Sequence, residues 1–204
     1  DGTKVPSVTT VIGRFKESGA LIYWAWQLGT QGKDYRQERD KAADAGTVAH
    51  LLVEQHIRGL ASAIPDKTDP DVAAKAQVAF GAFLEWSRLY KLEVLEQEMP
   101  LVSERHRYGG TPDAVGLGGK VCLLDWKTSN ALYPDHLIQL AAYRELWNEC
   151  RPDQPVGPMH LLRFSKEHGD FSHHLYPELP EAWEAFRLMR RLYDLDKQIK
   201  KRAK

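Results

Sequence analysis

The sequence predicts an α/β (α+β) fold: a central mixed β-sheet flanked by helices, with a helical N-terminal half. Three observations carry this expectation. Apolar residues recur at helical spacing before residue 91, as in Val72, Ala76, Ala79, Phe80, Phe83, Leu84 and Trp86. The texture changes to short apolar or alternating runs between Glu93 and Lys127. A helix, a second strand pair and a closing helix follow, so strands and helices are interleaved.

In chain order, Pro6-Ser7 is a start signal for a short helix over Ser7–Phe15. Ala20–Leu28 is a second helix, rich in aromatics. Its Tyr23, Trp24 and Trp26 are read as core packing, with stacking on single-stranded bases as the alternative. Gly29–Gly32 is a break. Tyr35–Ala45 is charged and helical; after Gly46 the run Thr47–Glu54 is strongly apolar and stays helical to about Arg58, with Gly59 as the stop. Ala61–Pro70, with its prolines and aspartates, is a loop, and Val72–Tyr90 is an amphipathic helix. Three strands are expected over Glu93–Val102, Tyr108–Leu117 and Lys120–Lys127, with Gly118-Gly119 turning the last two into a hairpin. Pro134–Glu149 is helical, Met159–Ser165 and Phe171–Tyr176 are strands around His168-Gly169-Asp170, and Glu181–Lys201 is a closing helix with a basic end. Neither a repeat nor a linker interrupts the pattern. Residues 1–204 are therefore read as one domain, mainly helical over 1–91 and carrying the sheet core over 92–204.

Composition is that of an ordinary soluble protein, 43% apolar and 27% charged with formal net charge zero, so bulk charge alone does not point to nucleic acid. Acidic metal ligands can cancel a local basic groove, and a bound cation restores attraction for phosphate. Cys122 and Cys150 form neither a disulfide framework nor a zinc pattern, and a reducing cytoplasm is the expected location. The apolar runs are too short to span a bilayer, so no membrane association is expected.

Chemistry concentrates in Gly110-Thr111-Pro112-Asp113 and Leu123-Leu124-Asp125-Trp126-Lys127-Thr128. Asp125 and Lys127 are two apart on a strand and share a face. The run Val121-Cys122-Leu123-Leu124 before them is apolar enough to be buried on both faces. An acid and an ammonium ending such a strand are costly unless paired, and a divalent cation held by Asp113 and Asp125 supplies the compensation. Phosphodiester hydrolysis suits these residue types, because carboxylates hold a hard cation and a neighbouring lysine stabilises developing charge.

These residues resemble the PD-(D/E)XK nuclease superfamily, and within it the RecB-like exonuclease branch related to CRISPR-associated and mitochondrial genome-maintenance exonucleases. The likeness extends to Pro6-Ser7-Val8-Thr9-Thr10-Val11-Ile12, to the helical histidine segment Gly46-Thr47-Val48-Ala49-His50-Leu51-Leu52-Val53-Glu54, and to Gln139-Leu140-Ala141-Ala142-Tyr143. Asp-x-Lys alone is nearly uninformative; the ordered set is specific. The resemblance implies a restriction-endonuclease-like core with Asp113, Asp125 and Lys127 as the catalytic group. It implies a Mg²⁺ or Mn²⁺ site built from His50, Asp113, Asp125, the Trp126 carbonyl and Glu98, and supporting or DNA-contacting roles for Gln139, Tyr143 and Glu54. Some members of the branch hold an iron–sulfur cluster on four cysteines; two cysteines cannot, so no cluster is expected.

Plainer readings stand beside these. Asp125 with Lys127 can be a strand-end ion pair, His50 a hydrogen-bonded core histidine, and Gln139 with Tyr143 a helix-packing pair. Glu54 is equally a helix-surface acid, and Glu98 lies on a strand already acidic at Glu93 and Glu96. Arg105, His106 and Arg107 either grip phosphates or form a solvated loop. His173 and His174 have no partner evident in the sequence and are not read as ligands. The expected function is a metal-dependent DNA nuclease, an exonuclease by resemblance, hydrolysing phosphodiesters with a metal-activated water. The alternatives are a structure-specific endonuclease and a non-catalytic DNA-binding or recombination-partner module. Expected partners are single- or double-stranded DNA ends and a recombination or replication protein, in the cytoplasm or at the nucleoid.

Overall fold

A computed structural model describes residues 2–16, 19–91, 93–116 and 120–203. Within these residues, six helices, α1 (Val8–Phe15), α2 (Gly19–Thr30), α3 (Tyr35–Ile57), α4 (Pro70–Tyr90), α5 (Pro134–Cys150) and α6 (Pro180–Arg202), surround two sheets. The strands are β1 (Val94–Gln97), β2 (Leu101–Ser103), β3 (Tyr108–Gly110), β4 (Ala114–Gly116), β5 (Cys122–Lys127), β6 (Met159–Phe164) and β7 (Phe171–Tyr176). The main sheet runs β1-β4-β5-β6-β7, and β2-β3 form a separate pair. Among the described strands of the main sheet, β5 and β6 pair in parallel, with Asp125 opposite Leu161, and the other pairings are antiparallel. The crossover between the parallel strands is α5, as a βαβ unit requires. This is an α/β (α+β) architecture consistent with a restriction-endonuclease-like core.

Local signals set most of the ends. Ser7 caps α1 by accepting from the Thr10 N–H, and Asp34 caps α3 through the Arg36 and Gln37 N–H groups. Gly59 closes the turn after α3 at φ +68°, where a side chain is strained. Gly46 does not interrupt α3, which runs through it as one helix. A Cβ at Gly46 would lie 3.0 Å from Thr128 Oγ1, so the glycine lets α3 press against the end of β5.

Two of the expected strands are each broken in two. Glu93–Val102 divides into β1 and β2, which lie in different sheets, and Tyr108–Leu117 divides into β3 and β4. Glu98 takes a left-handed φ of +49° and Pro100 follows it; Pro112 lies in the second break. A proline cannot donate to a ladder, and a left-handed residue turns the chain out of it. Asp113 therefore sits at the bend before β4 and not within a continuous hairpin strand. The Gly118-Gly119 turn lies outside the described residues.

The sheet has a core on each face. Cys122, Leu124 and Trp126 of β5 pack with α3 and α4, around Phe83 and Trp86. Leu123 of β5 packs with α1, α5 and α6, around Tyr108, Trp147 and Phe186. The helical N-terminal half thus does not cover a single face: α1 crosses to the side of α5 and α6, tied there by Arg14–Asp196 and Lys16–Asp135 contacts. The aromatics of α2 also depart from the core reading. Tyr23 and Trp26 are 59% and 62% exposed and stack on one another at 5.7 Å. Trp24 packs edge-on against Tyr35 and lines a cavity of about 1070 Å³ beside residues 129–135. His173 does have partners: its Nδ1 accepts from the Trp86 indole at 3.2 Å, and its Nε2 lies 2.6 Å from His160 Nδ1.

Gly116 shows how tightly β1 and β4 meet. A Cβ there would collide with the Glu93 carbonyl oxygen and come within 2.9 Å of the Val94 and Leu95 backbone, at the register irregularity between Val94 and Glu96. Backbone cannot rotate away as a side chain can. Gly116→Ala is expected to cost about 1–3 kcal/mol of stability, read as a lowered urea midpoint. An unchanged midpoint would contradict the close approach.

Candidate active site

Four elements converge at the end of β5. His50 projects from α3, Glu98 follows β1, Asp113 lies at the bend before β4, and Asp125 and Lys127 end β5. Alternation along β5 places Asp125 and Lys127 in phase with Leu123, toward the α5 side, while Trp126 points into the opposite core.

Asp113 is the centre of the arrangement. Its Oδ2 accepts the Trp126 backbone N–H at 2.8 Å, and its Oδ1 lies 3.5 Å from His50 Nδ1. Its own carbonyl accepts the Glu98 N–H at 3.1 Å, fixing the left-handed Glu98 beside it. One ligand atom from each of His50, Glu98 and Asp113 lies within 4.8 Å of the others. Asp125, fully buried, stands outside that trio but faces Lys127, whose Nζ is 2.6 Å from its Oδ2. The contact is close but poorly aligned, and no directional donor reaches either Asp125 oxygen among the described residues.

Such orphaned buried oxygens are what a cation would satisfy. One imidazole nitrogen and several carboxylate oxygens suit Mg²⁺, with the nitrogen adding tolerance for Mn²⁺. The residues present therefore fit a divalent ion.

The electrostatics agree. Burial, then the Asp113 charge, pushes Glu98 up to about 7. Burial pushes Asp125 up to about 6, against the pull of Lys127 and with help from Asp113. For His50, burial opposes the charged form, yet Asp113 overrides it and the pKa rises. For Asp113, burial is outweighed by His50, Lys127 and the Trp126 N–H, and the pKa falls. Lys127 is also buried, but Asp125 and Asp113 hold its pKa above the ordinary value.

These shifts fix the sign of a pH effect. Glu98, Asp125 and His50 have raised pKa values, so their stabilising contributions are full below 4.5, 3.8 and 6.5 and fade as pH rises through the folded values. Asp113 has the opposite sign, and its contribution is lost only as pH falls below 3.8. Without divalent cation, these groups should weaken the fold from about pH 4 to about pH 7. Cation binding requires the deprotonated ligands, so the rise in Tm on adding Mg²⁺ or Mn²⁺ should be larger at about pH 8 than at about pH 5. A cation-induced shift that does not grow with pH would exclude this ligand set.

Gln139 and Tyr143 of α5 pair with each other, Gln139 Nε2 donating to the Tyr143 hydroxyl at 3.2 Å. The Tyr143 pKa is raised by burial and then by the Asp125 and Asp113 charges. Gly110 makes room for the phenol, since a Cβ there would lie 2.5 Å from Tyr143 Cε1. Glu54 directs its carboxylate to Arg58 at 2.7 Å, and its carbonyl accepts from Gln97. The Trp126 N–H on Asp113, the Gly110–Tyr143 approach and the Gly46–Thr128 approach were not anticipated from sequence. The glycines themselves were the available signal.

The fold and these side chains define an α/β protein with a His–Glu–Asp cluster beside a buried Asp–Lys pair. No protein-family model matches the sequence, and no curated protein matches it significantly. Among solved structures, the chain is similar to two of the alkaline exonuclease of Laribacter hongkongensis, one of them in complex with dAMP. Each comparison gives 11% identity over 78% of this chain and 87% of that one, with a TM-score of 0.45. A candidate exonuclease from Eubacterium rectale is 11% identical over 72% of this chain and 64% of that one, with a TM-score of 0.49.

Proposed function

We propose that residues 1–204 form one metal-dependent DNA nuclease domain of the PD-(D/E)XK type, RecB-like and acting as an exonuclease. The observation that carries the reading is the convergence of His50, Glu98 and Asp113 next to the buried Asp125–Lys127 pair. As a bare ion pair, Asp125 and Lys127 would leave Asp125 Oδ1 without a partner in a fully buried carboxylate, which is an expensive arrangement.

His50, Glu98, Asp113 and Asp125 would hold Mg²⁺ or Mn²⁺, and the Trp126 carbonyl, whose own N–H anchors Asp113, would complete the shell. When bound, a divalent cation supplies Lewis acidity toward a phosphate oxygen and compensates the carboxylate charge. Asp113 is oriented before any ligand arrives, by the Trp126 N–H and His50. Lys127, held protonated by Asp125 and Asp113, donates to phosphate oxygen as negative charge develops there. Tyr143, kept protonated by burial and by those carboxylates, is a donor braced by Gln139. Glu54 acts at one remove, holding Arg58 and the Gln97 side chain near Glu98.

Incubation of pure protein with end-labelled linear DNA and with closed circular DNA, with Mg²⁺, Mn²⁺ or chelator, tests the reading. Cation-dependent loss of the linear substrate alone is the expected result. Cleavage of the closed circle would make the protein an endonuclease. No cleavage under any condition would leave a DNA-binding module and overturn the catalytic claim.

A further inference from the structure

The turn between β2 and β3 carries Arg105, His106 and Arg107. It packs against the middle of α6, where Arg187, Arg190 and Arg191 are spaced to share one face. Between turn and helix lies a cavity of about 220 Å³ whose lining includes Arg105, Arg187, Arg190 and Arg191 together with His106 and Trp183. Asp194 is the only acid among its lining residues. In a chain with no formal net charge, that is a local concentration of positive charge.

The cleft is also preformed. Arg190 donates from Nε to the Arg107 carbonyl at 2.8 Å and pairs with Asp194 at 2.6 Å, leaving its side chain 12% exposed. His106 and Trp183 meet edge to face at 5.1 Å. Among the described residues, Arg187 has one exposed ion pair, to Glu184, and Arg105 and Arg191 form none. Guanidinium groups converging on a small cavity match the oxygens of a phosphate group, which they bind in forks that lysine cannot form.

We propose that this cleft binds a backbone phosphate of a nucleic acid strand. Five residues lie between Arg107, at the edge of this turn, and Asp113, so their Cα atoms are at most about 20 Å apart. That is about six nucleotides along one strand of a duplex. The placement of both sites on one strand rests on the nuclease reading; the phosphate contact does not.

The test is equilibrium binding of a fluorescent DNA duplex of about two helical turns in chelator, across a salt series. Arg187→Ala/Arg191→Ala removes two exposed cations and spares the pinned Arg190. It should weaken binding about tenfold or more at low salt and lower the slope of log K against log salt by about 2. Arg187→Lys/Arg191→Lys should restore the slope but only part of the affinity. Arg36→Ala/Arg88→Ala removes the same charge from α3 and α4 and should leave the slope unchanged. An unaltered slope in the Arg187/Arg191 pair, or equal losses in both pairs, overturns the proposal. So does poly-glutamate competing for the cleft while DNA binding is insensitive to the arginines. Because binding is read without cleavage, an inactive wild type with an arginine-dependent slope would defeat the nuclease reading and leave this one standing.

Discussion

Asp125→Ala is expected to lower cation-dependent DNA cleavage by about 10³-fold or more, while DNA binding in chelator stays within a few-fold of wild type. Asp125 is fully buried, both its oxygens lack directional donors, and its pKa is raised to about 6 by burial. A group in that condition has little structural use except toward something that takes its charge. Asp113→Ala should match it, because Asp113 is held by both the Trp126 N–H and His50. Initial rates with labelled linear DNA measure the effect, and circular dichroism checks that the variants are folded. Cleavage undiminished in Asp125→Ala would sink the catalytic assignment.

The second large effect is on stability, and it separates a functional pair from a structural one. Lys127→Met should destabilise the protein by about 3–5 kcal/mol near neutral pH, because it leaves Asp125 buried and uncompensated. The loss should shrink at about pH 5, where Asp125, which titrates at about 6 even beside Lys127, takes up a proton. Asp125→Val/Lys127→Met removes both charges and should recover wild-type stability or exceed it by about 1–4 kcal/mol, with no cleavage. Urea unfolding of the single and double variants at two pH values decides this. A double variant less stable than Lys127→Met alone would mean that the pair exists to hold the fold together.

The sequence carried much of this. Periodicity located each helix to within a few residues, because the apolar faces of α4 and α6 must repeat with the helical turn wherever they pack. It also marked β5 and β6, whose apolar runs are those of strands between two layers, and β7, a half-exposed strand at the sheet edge. The strand period put Asp125 and Lys127 on one face, and the structure keeps them there, 2.6 Å apart. The family resemblance pointed to His50 and Glu98 as ligands, and the fold brings one ligand atom of each within 4.8 Å of Asp113.

What the sequence could not decide is what depends on contacts distant along the chain. Glu98 ends β1 at a left-handed φ of +49°, its N–H held by the Asp113 carbonyl, a bond that exists only once β1 and β4 are paired. The expected long strands broke for that reason and at the prolines. The crossing of α1 to the far face of the sheet follows from its packing on α5 and α6, nearly the whole chain away. The Arg105–Arg107 turn could not be separated from a solvated loop until α6 laid Arg187, Arg190 and Arg191 across it. Local pattern determined which residues could serve; only tertiary structure decided which meet, because burial, pKa and charge all depend on neighbours brought together by folding.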